Sequence, residues 1–199
     1  MTLQATFRIL RADLARVWSM LEKKSRWGKA QSVVLTPGIH AIVVYRWSQW
    51  GHSKAGLGLY PLRFMLLIFE YAIRILCGIE LHAATRIGEG FYIGHFGGVI
   101  ISPKAVIGRN FTCSQDVSIG VSGEGETYGA PTIGDDVYVA PGAKLFGKIR
   151  IGHNVKIGAN AVIYKDVPDH AVVVLDPGFR IIFYKGNVVR NHPRSGEHI

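Results

Sequence analysis

Residues 131–163 read PTIGDDVYVAPGAKLFGKIRIGHNVKIGANAVI, and an aliphatic side chain returns at every sixth position: Ile133, Val139, Leu145, Ile151, Ile157 and Ile163. Glycine follows the aliphatic at 134, 152 and 158, and a small or β-branched residue comes four positions after the beat, at Val137, Ala143, Val155 and Ala161. A six-residue beat implies short flat strands joined by tight corners, with the aliphatic pointing inward from each strand. A chain wound in this way stacks successive turns one strand spacing apart, about 4.8 Å. The stretch therefore reads as a β-helix.

The same beat runs upstream through Leu81, Ile87, Ile93, Ile101, Ile107, Cys113 and Ile119, with glycine following at 88, 94, 108 and 120 and Val117 in the small position. It breaks twice. Two residues are added between Ile93 and Ile101, in IGEGFYIGHFGGVIIS (87–102), beside His95. Between Ile119 and Ile133 the stretch GVSGEGETYGAPT is too long for a corner and must project as a loop. Insertions into a repeat become loops on one face, which is where such folds carry function.

Ahead of the repeat the pattern is helical. Over 3–22, Phe7, Leu10, Leu14, Val17 and Leu21 fall on one face, with Arg8, Arg11 and Arg16 elsewhere. Residues 38–50 read as a second helix after Pro37, and 61–77 as a third with Pro61 in its first turn. In the third, Arg63, Glu70 and Arg74 make one narrow polar stripe in which Glu70 and Arg74 stand as an i,i+4 pair. A helix so apolar is expected to be mostly buried, against its neighbours, another subunit or the outer layer of a membrane. The chain thus divides into a helical region (1–78), a β-helix domain (79–184) and a polar tail (185–199) expected to be loose.

With 48% hydrophobic and 19% charged residues, the composition is that of a folded protein. The net charge of +9 sits almost wholly in residues 1–78, which hold 11 basic residues against 3 acidic ones. Such a patch suits anionic lipid, an acidic polymer or nucleic acid, or is an ordinary solvated helix surface. No nucleic-acid recognition motif accompanies it, so a nucleic-acid partner is not expected. Cys77 and Cys113 have no spacing that suggests a metal or a disulfide framework. The N-terminus lacks a secretory cleavage pattern, and PLRFMLLIFEYAIRILCGI, interrupted by Arg63, Glu70 and Arg74, falls short of the ~20 apolar residues of a spanning helix. A cytoplasmic protein is expected, free or at the inner face of the membrane.

The beat resembles that of the hexapeptide-repeat acyltransferases, and within them residues 78–183 look most like the serine acetyltransferase branch. GIELHAATRIGEGFYIGHFGG parallels the opening of that branch, and KDVPDHAVVV its C-terminal cap. The resemblance implies a left-handed parallel β-helix behind an α-helical N-terminal region, acting as a homotrimer or a dimer of trimers. It implies acetyl-CoA as co-substrate and no metal. It places the catalytic base at His95 and the carboxylate that orients it at Glu80, and it puts acetyl-CoA near Gly120, Pro141 and Ala159, with Lys165 and Arg180 toward its phosphates. The residue types suit the chemistry. A neutral imidazole takes the proton of an attacking hydroxyl, and a carboxylate on the other ring nitrogen fixes the tautomer. Gly94, Gly97 and Gly98 allow backbone N–H groups to approach a developing oxyanion. His82 either lines the same groove or serves only the local backbone, and the remaining histidines read as ordinary polar residues.

The chain also departs from the serine enzymes. Gly94 stands where they carry an aspartate, and Tyr128-Gly129-Ala130-Pro131 stands where they carry Asp-Arg-His-Pro. A zwitterionic amino acid needs a cation for its carboxylate and an anion for its ammonium, and both are missing at those positions. The pattern is similar to relatives that O-acetylate capsule or exopolysaccharide, so a saccharide acceptor is expected, with Tyr128 and Phe96 as aromatic candidates for gripping it. The alternatives are a serine O-acetyltransferase of cysteine synthesis and a non-catalytic β-helix subunit. A β-helix carbonic anhydrase would need three convergent histidines, and the spacing here does not supply them.

Overall fold

The computed structural model describes residues 1–20, 25–54 and 56–175. The first part is four helices, α1 (Leu3–Met20), α2 (Arg26–Leu35), α3 (Pro37–His52) and α4 (Tyr60–Cys77). Gly78 ends α4 in the left-handed conformation at φ 61°, its N–H bonded to the Arg74 carbonyl. The chain then winds into coils of three short strands. The first is β1 (Ile79–Leu81), β2 (Arg86–Ile87) and β3 (Tyr92–Ile93), and the second is β4 (Val99–Ile101), β5 (Val106–Ile107) and β6 (Thr112–Cys113). The third is β7 (Ser118–Gly120), β8 (Thr132–Ile133) and β9 (Tyr138–Val139), and the fourth β10 (Lys144–Phe146), β11 (Arg150–Ile151) and β12 (Lys156–Ile157). β13 (Val162–Ile163) and β14 (Val172–Val173) belong to the last coil.

Every strand pairs in parallel with its equivalent one coil away, giving three sheets: β1-β4-β7-β10-β13, β2-β5-β8-β11 and β3-β6-β9-β12-β14. This is the parallel β-helix the six-residue beat predicts. All the beat residues are buried except the half-buried Leu81, and Val117, Val137, Ala143, Val155 and Ala161 fill the corners between them. Phe91 and Phe111 stack at 5.9 Å inside the first two coils. Glycine after the aliphatic has a steric cause. A Cβ on Gly88 or Gly134 would lie 2.7 Å from the backbone of the next coil, which no side chain tolerates.

The open end of the solenoid is closed by α3, whose Ile39, Ala41, Ile42 and Tyr45 are buried. Gly38 lets the helix approach so closely that a Cβ there would meet the Ile93 carbonyl at 2.8 Å. Beneath this contact lies a buried ion pair, Arg46–Asp13, at 2.8 Å with both side chains 1% exposed. Arg46 also donates to the carbonyls of Ile87 (2.8 Å) and Gly88 (2.6 Å), and Asp13 accepts the N–H of Phe91 at 2.9 Å. Arg16 adds a bond to the Gly90 carbonyl at 2.7 Å. Tyr45 and Gln49 add bonds to the Thr85 carbonyl at 2.8 and 2.9 Å, so the helical region is bolted to the first coil at several backbone groups.

Three expectations need correction. Helix α2 was not anticipated: its apolar residues lack a clear period, and its one signal is Ser25, whose hydroxyl accepts the N–H of Gly28 as an N-cap. On α1 the fully buried residues are Thr6, Asp13 and Val17, while Phe7 remains exposed and meets Trp47 edge-on at 5.5 Å. Of the expected apolar face Val17 is buried and Leu10 and Leu14 half-buried, and Asp13 turns in beside them to pair with Arg46. On α4 only Leu66 is buried, and Phe64, Leu67, Ile68, Tyr71 and Ile75 are exposed on this chain, so the helix is not covered by its own neighbours, the first of the coverings expected for it. Its Glu70 and Arg74 do not form the i,i+4 ion pair: Arg74 lies over the Tyr71 ring at 5.5 Å instead. Among the described residues no helix is long and apolar enough to cross a membrane.

Candidate active site

The extra residues between β3 and β4 form a turn over 94–98. The ladder grips its shoulders: Gly94 N–H bonds to the Cys113 carbonyl at 2.9 Å and Val99 N–H to the Gly78 carbonyl at 3.0 Å. Gly97 and Gly98 take positive φ values of 100° and 66°, which let the chain reverse within so few residues. His95 and Phe96 project from this turn, both exposed. The turn rests on the end of α4, where a Cβ on Gly78 would come within 3.0 Å of the Gly98 nitrogen.

Glu80 sits in the middle of β1, in register with Ile100 of β4, and points outward. The two candidate catalytic residues thus lie on adjoining segments, Glu80 within β1 and His95 in the turn leading into β4, though no hydrogen bond joins them among the described residues. His82 follows β1 and its Nδ1 accepts the N–H of Ala84 at 3.1 Å. The neutral ring therefore carries its proton on Nε2.

Backbone bonds between coils show which other candidates gather around His95. Asp116 N–H bonds to the Gly97 carbonyl, Gly142 N–H to the Gln115 carbonyl and Asn160 N–H to the Pro141 carbonyl, at 2.8, 3.0 and 2.9 Å. His95, Pro141 and Ala159 therefore share one corner column of the β-helix. Gly120 does not join them. It ends β7 at the opposite edge of the same sheet, where Gly147 N–H bonds to its carbonyl and a Cβ would strike the Phe146 ring at 2.7 Å. Lys165, two residues past β13, follows that same edge, with its ammonium 5.6 Å from the Tyr164 ring. Arg180 and the tail lie outside the described residues.

The long loop after β7 projects as expected, exposed from Val121 to Tyr128 and closed by an antiparallel bridge between Ser122 and Gly129. Tyr128 is held by the Lys104 ammonium, 4.4 Å from its ring. Between α3, α4 and β1 runs a groove of about 390 Å³, lined by Tyr45, Leu67, Glu70, Arg74, Glu80 and His82 among others. The sequence reading missed this groove, because its walls come from segments that meet only in the fold. Among the described residues no group of three or more His, Cys, Asp or Glu is placed to hold a metal.

The family profile described as bacterial transferase hexapeptide (six repeats) matches residues 130–166. The serine acetyltransferase of Bacillus subtilis is 37% identical over 187 residues, which is 92% of this chain and 81% of that protein. That of Bacillus pumilus is 34% identical over 183 residues, 92% of this chain and 80% of the relative. Among solved structures, serine acetyltransferase isoform 3 of Entamoeba histolytica, in complex with cysteine, superposes with a TM-score of 0.73 at 28% identity. The match covers 91% of this chain and 62% of that one. The expected closeness to polysaccharide O-acetyltransferases is not supported, since these relatives are named serine acetyltransferases. An acyltransferase by fold and by similarity along nearly all its length, the chain belongs to the serine acetyltransferase family of hexapeptide-repeat proteins.

Proposed function

We propose that the protein is an acetyl-CoA-dependent O-acetyltransferase that uses L-serine as acceptor and His95 as general base. The observation that carries the reading is the corner column that His95 shares with Pro141 and Ala159, its turn leading into β4, the strand paired with the β1 that carries Glu80. A donor lying along that column presents its thioester to the turn over 94–98. His95 takes the proton of the attacking hydroxyl, Glu80 stabilises the imidazolium, and the N–H groups within the turn, left outside the ladder, face the oxyanion. Collapse of the oxyanion then breaks the thioester C–S bond, and CoA leaves as its thiol with the proton that His95 gives up, so direct attack needs no covalent enzyme intermediate. The serine acceptor rests on the names of the relatives, and the trimer on the family resemblance, the groove between neighbouring β-helices then holding the donor.

A second reading, a saccharide hydroxyl as acceptor, is favoured by one observation: Gly94, Gly129 and Ala130 offer no charge where the serine enzymes of the resemblance carry Asp, Arg and His. Tyr128 and Phe96, both exposed, would then meet the sugar. Thiol release from acetyl-CoA, measured with L-serine and with a panel of bacterial polysaccharides, separates the two. Serine turnover that falls about 10²–10⁴-fold in His95→Ala supports the main reading. Turnover on a glycan alone replaces it with the second, and no loss in His95→Ala removes the assigned base.

A further inference from the structure

The groove between α3, α4 and β1 holds a pair of opposite charges that do not meet. Glu70 and Arg74 stand one helical turn apart, a spacing at which such residues ordinarily pair. Here Arg74 turns onto the Tyr71 ring at 5.5 Å, and Glu70 Oε1 is buried with no hydrogen-bond partner. A buried carboxylate oxygen without a donor is costly. Among the described residues, then, Glu70 Oε1 lacks a donor and the Arg74 guanidinium makes no hydrogen bond, and both residues line one groove.

That arrangement is complementary to a zwitterion. An α-amino acid brings an ammonium that supplies donors to Glu70 and a carboxylate that accepts from the Arg74 guanidinium, whose fork suits two oxygens. Tyr45 and Ile79, both buried, give the groove an apolar floor beside these two groups. The far end of the groove reaches Glu80 and His82.

Resting on the reading of the protein as a serine O-acetyltransferase, we propose that the acceptor amino acid is bound by Glu70 and Arg74 of α4. These residues take over the two recognition roles that Gly94, Gly129 and Ala130 leave empty. The acceptor grip has moved from the β-helix to the helix that precedes it.

The test separates binding from turnover. Titration calorimetry measures L-serine binding to the full-length wild type, Glu70→Gln and Arg74→Gln, with unfolding midpoints confirming that each variant folds. The expected result is that each variant binds serine at least tenfold more weakly while its affinity for CoA stays unchanged. A second arm compares serine with serinamide, which lacks the carboxylate. The wild type prefers serine, and Arg74→Gln loses that preference. Serine binding that is undetectable in the wild type, or equal in all three proteins, overturns the proposal. Binding that obeys these rules without acetyl transfer in the wild type leaves the groove standing and removes the functional reading instead.

Discussion

Arg46 and Asp13 show how much one pair of residues carries here. The guanidinium spends its donors on Asp13 and on the carbonyls of Ile87 and Gly88, and the carboxylate spends one oxygen on Phe91 N–H. A buried ion pair is poor evidence of net stability, because desolvation offsets much of the attraction, but removing one partner strands the other. Arg46→Met is expected to cost about 3–5 kcal/mol in urea unfolding. The double variant Asp13→Leu/Arg46→Met should recover part of that loss. A double variant no better than the single one would show that the bonds to the coil carbonyls, not the charge pair, are what matters.

At the scale of elements, the coils are joined by polar groups at their corners as well as by the ladder. Asp135 accepts the Arg109 N–H at 2.7 Å and the Arg109 guanidinium at 2.9 Å, and its own N–H meets His153 Nδ1 at 3.0 Å. The Arg109 backbone N–H, and then its side chain, hold the Asp135 carboxyl below its ordinary value of 3.8. A depressed carboxylate contributes stability that is fully present above the unfolded value and is lost as pH falls through the folded one. Asp135→Asn should therefore melt below wild type at pH 7, with the gap closing as pH drops below 3.8. The gap should be small, since exposed ion pairs contribute little. Melting curves across that range decide it, and a gap that persists at pH 2 would assign the effect to packing.

Across the whole molecule, a solenoid is stabilised by contacts between neighbouring coils, so damage at one end stays there. Gly38→Val drives a side chain into the Ile93 carbonyl and lifts α3 from the open end. Hydrogen exchange is expected to accelerate over 79–101 and to remain slow over 144–163. Uniform acceleration would mean that the helical cap and all the coils unfold as one unit.

The sequence by itself determined the β-helix. The inward aliphatic recurs every six residues and the glycine after it answers a 2.7 Å approach of the next coil, so each repeat states its own local geometry. It also located both insertions, and His95 at one of them, because a break in a strict period is visible without coordinates. What only the tertiary structure decided depends on contacts between distant segments. Asp13 meets Arg46 and Phe91 across 33 and 78 residues, turning a polar residue inward on a helix whose apolar face the pattern favoured. Gly120 reads like the other corner candidates in the chain, yet the winding sends it to the opposite sheet edge from Pro141 and Ala159. Glu70 and Arg74 have the spacing of a pair, yet in the fold Arg74 lies over the Tyr71 ring and Glu70 Oε1 has no partner among the described residues. Periodicity encodes what neighbouring coils do to one another, whereas the meeting of a helix with a coil is set by packing that no local spacing records.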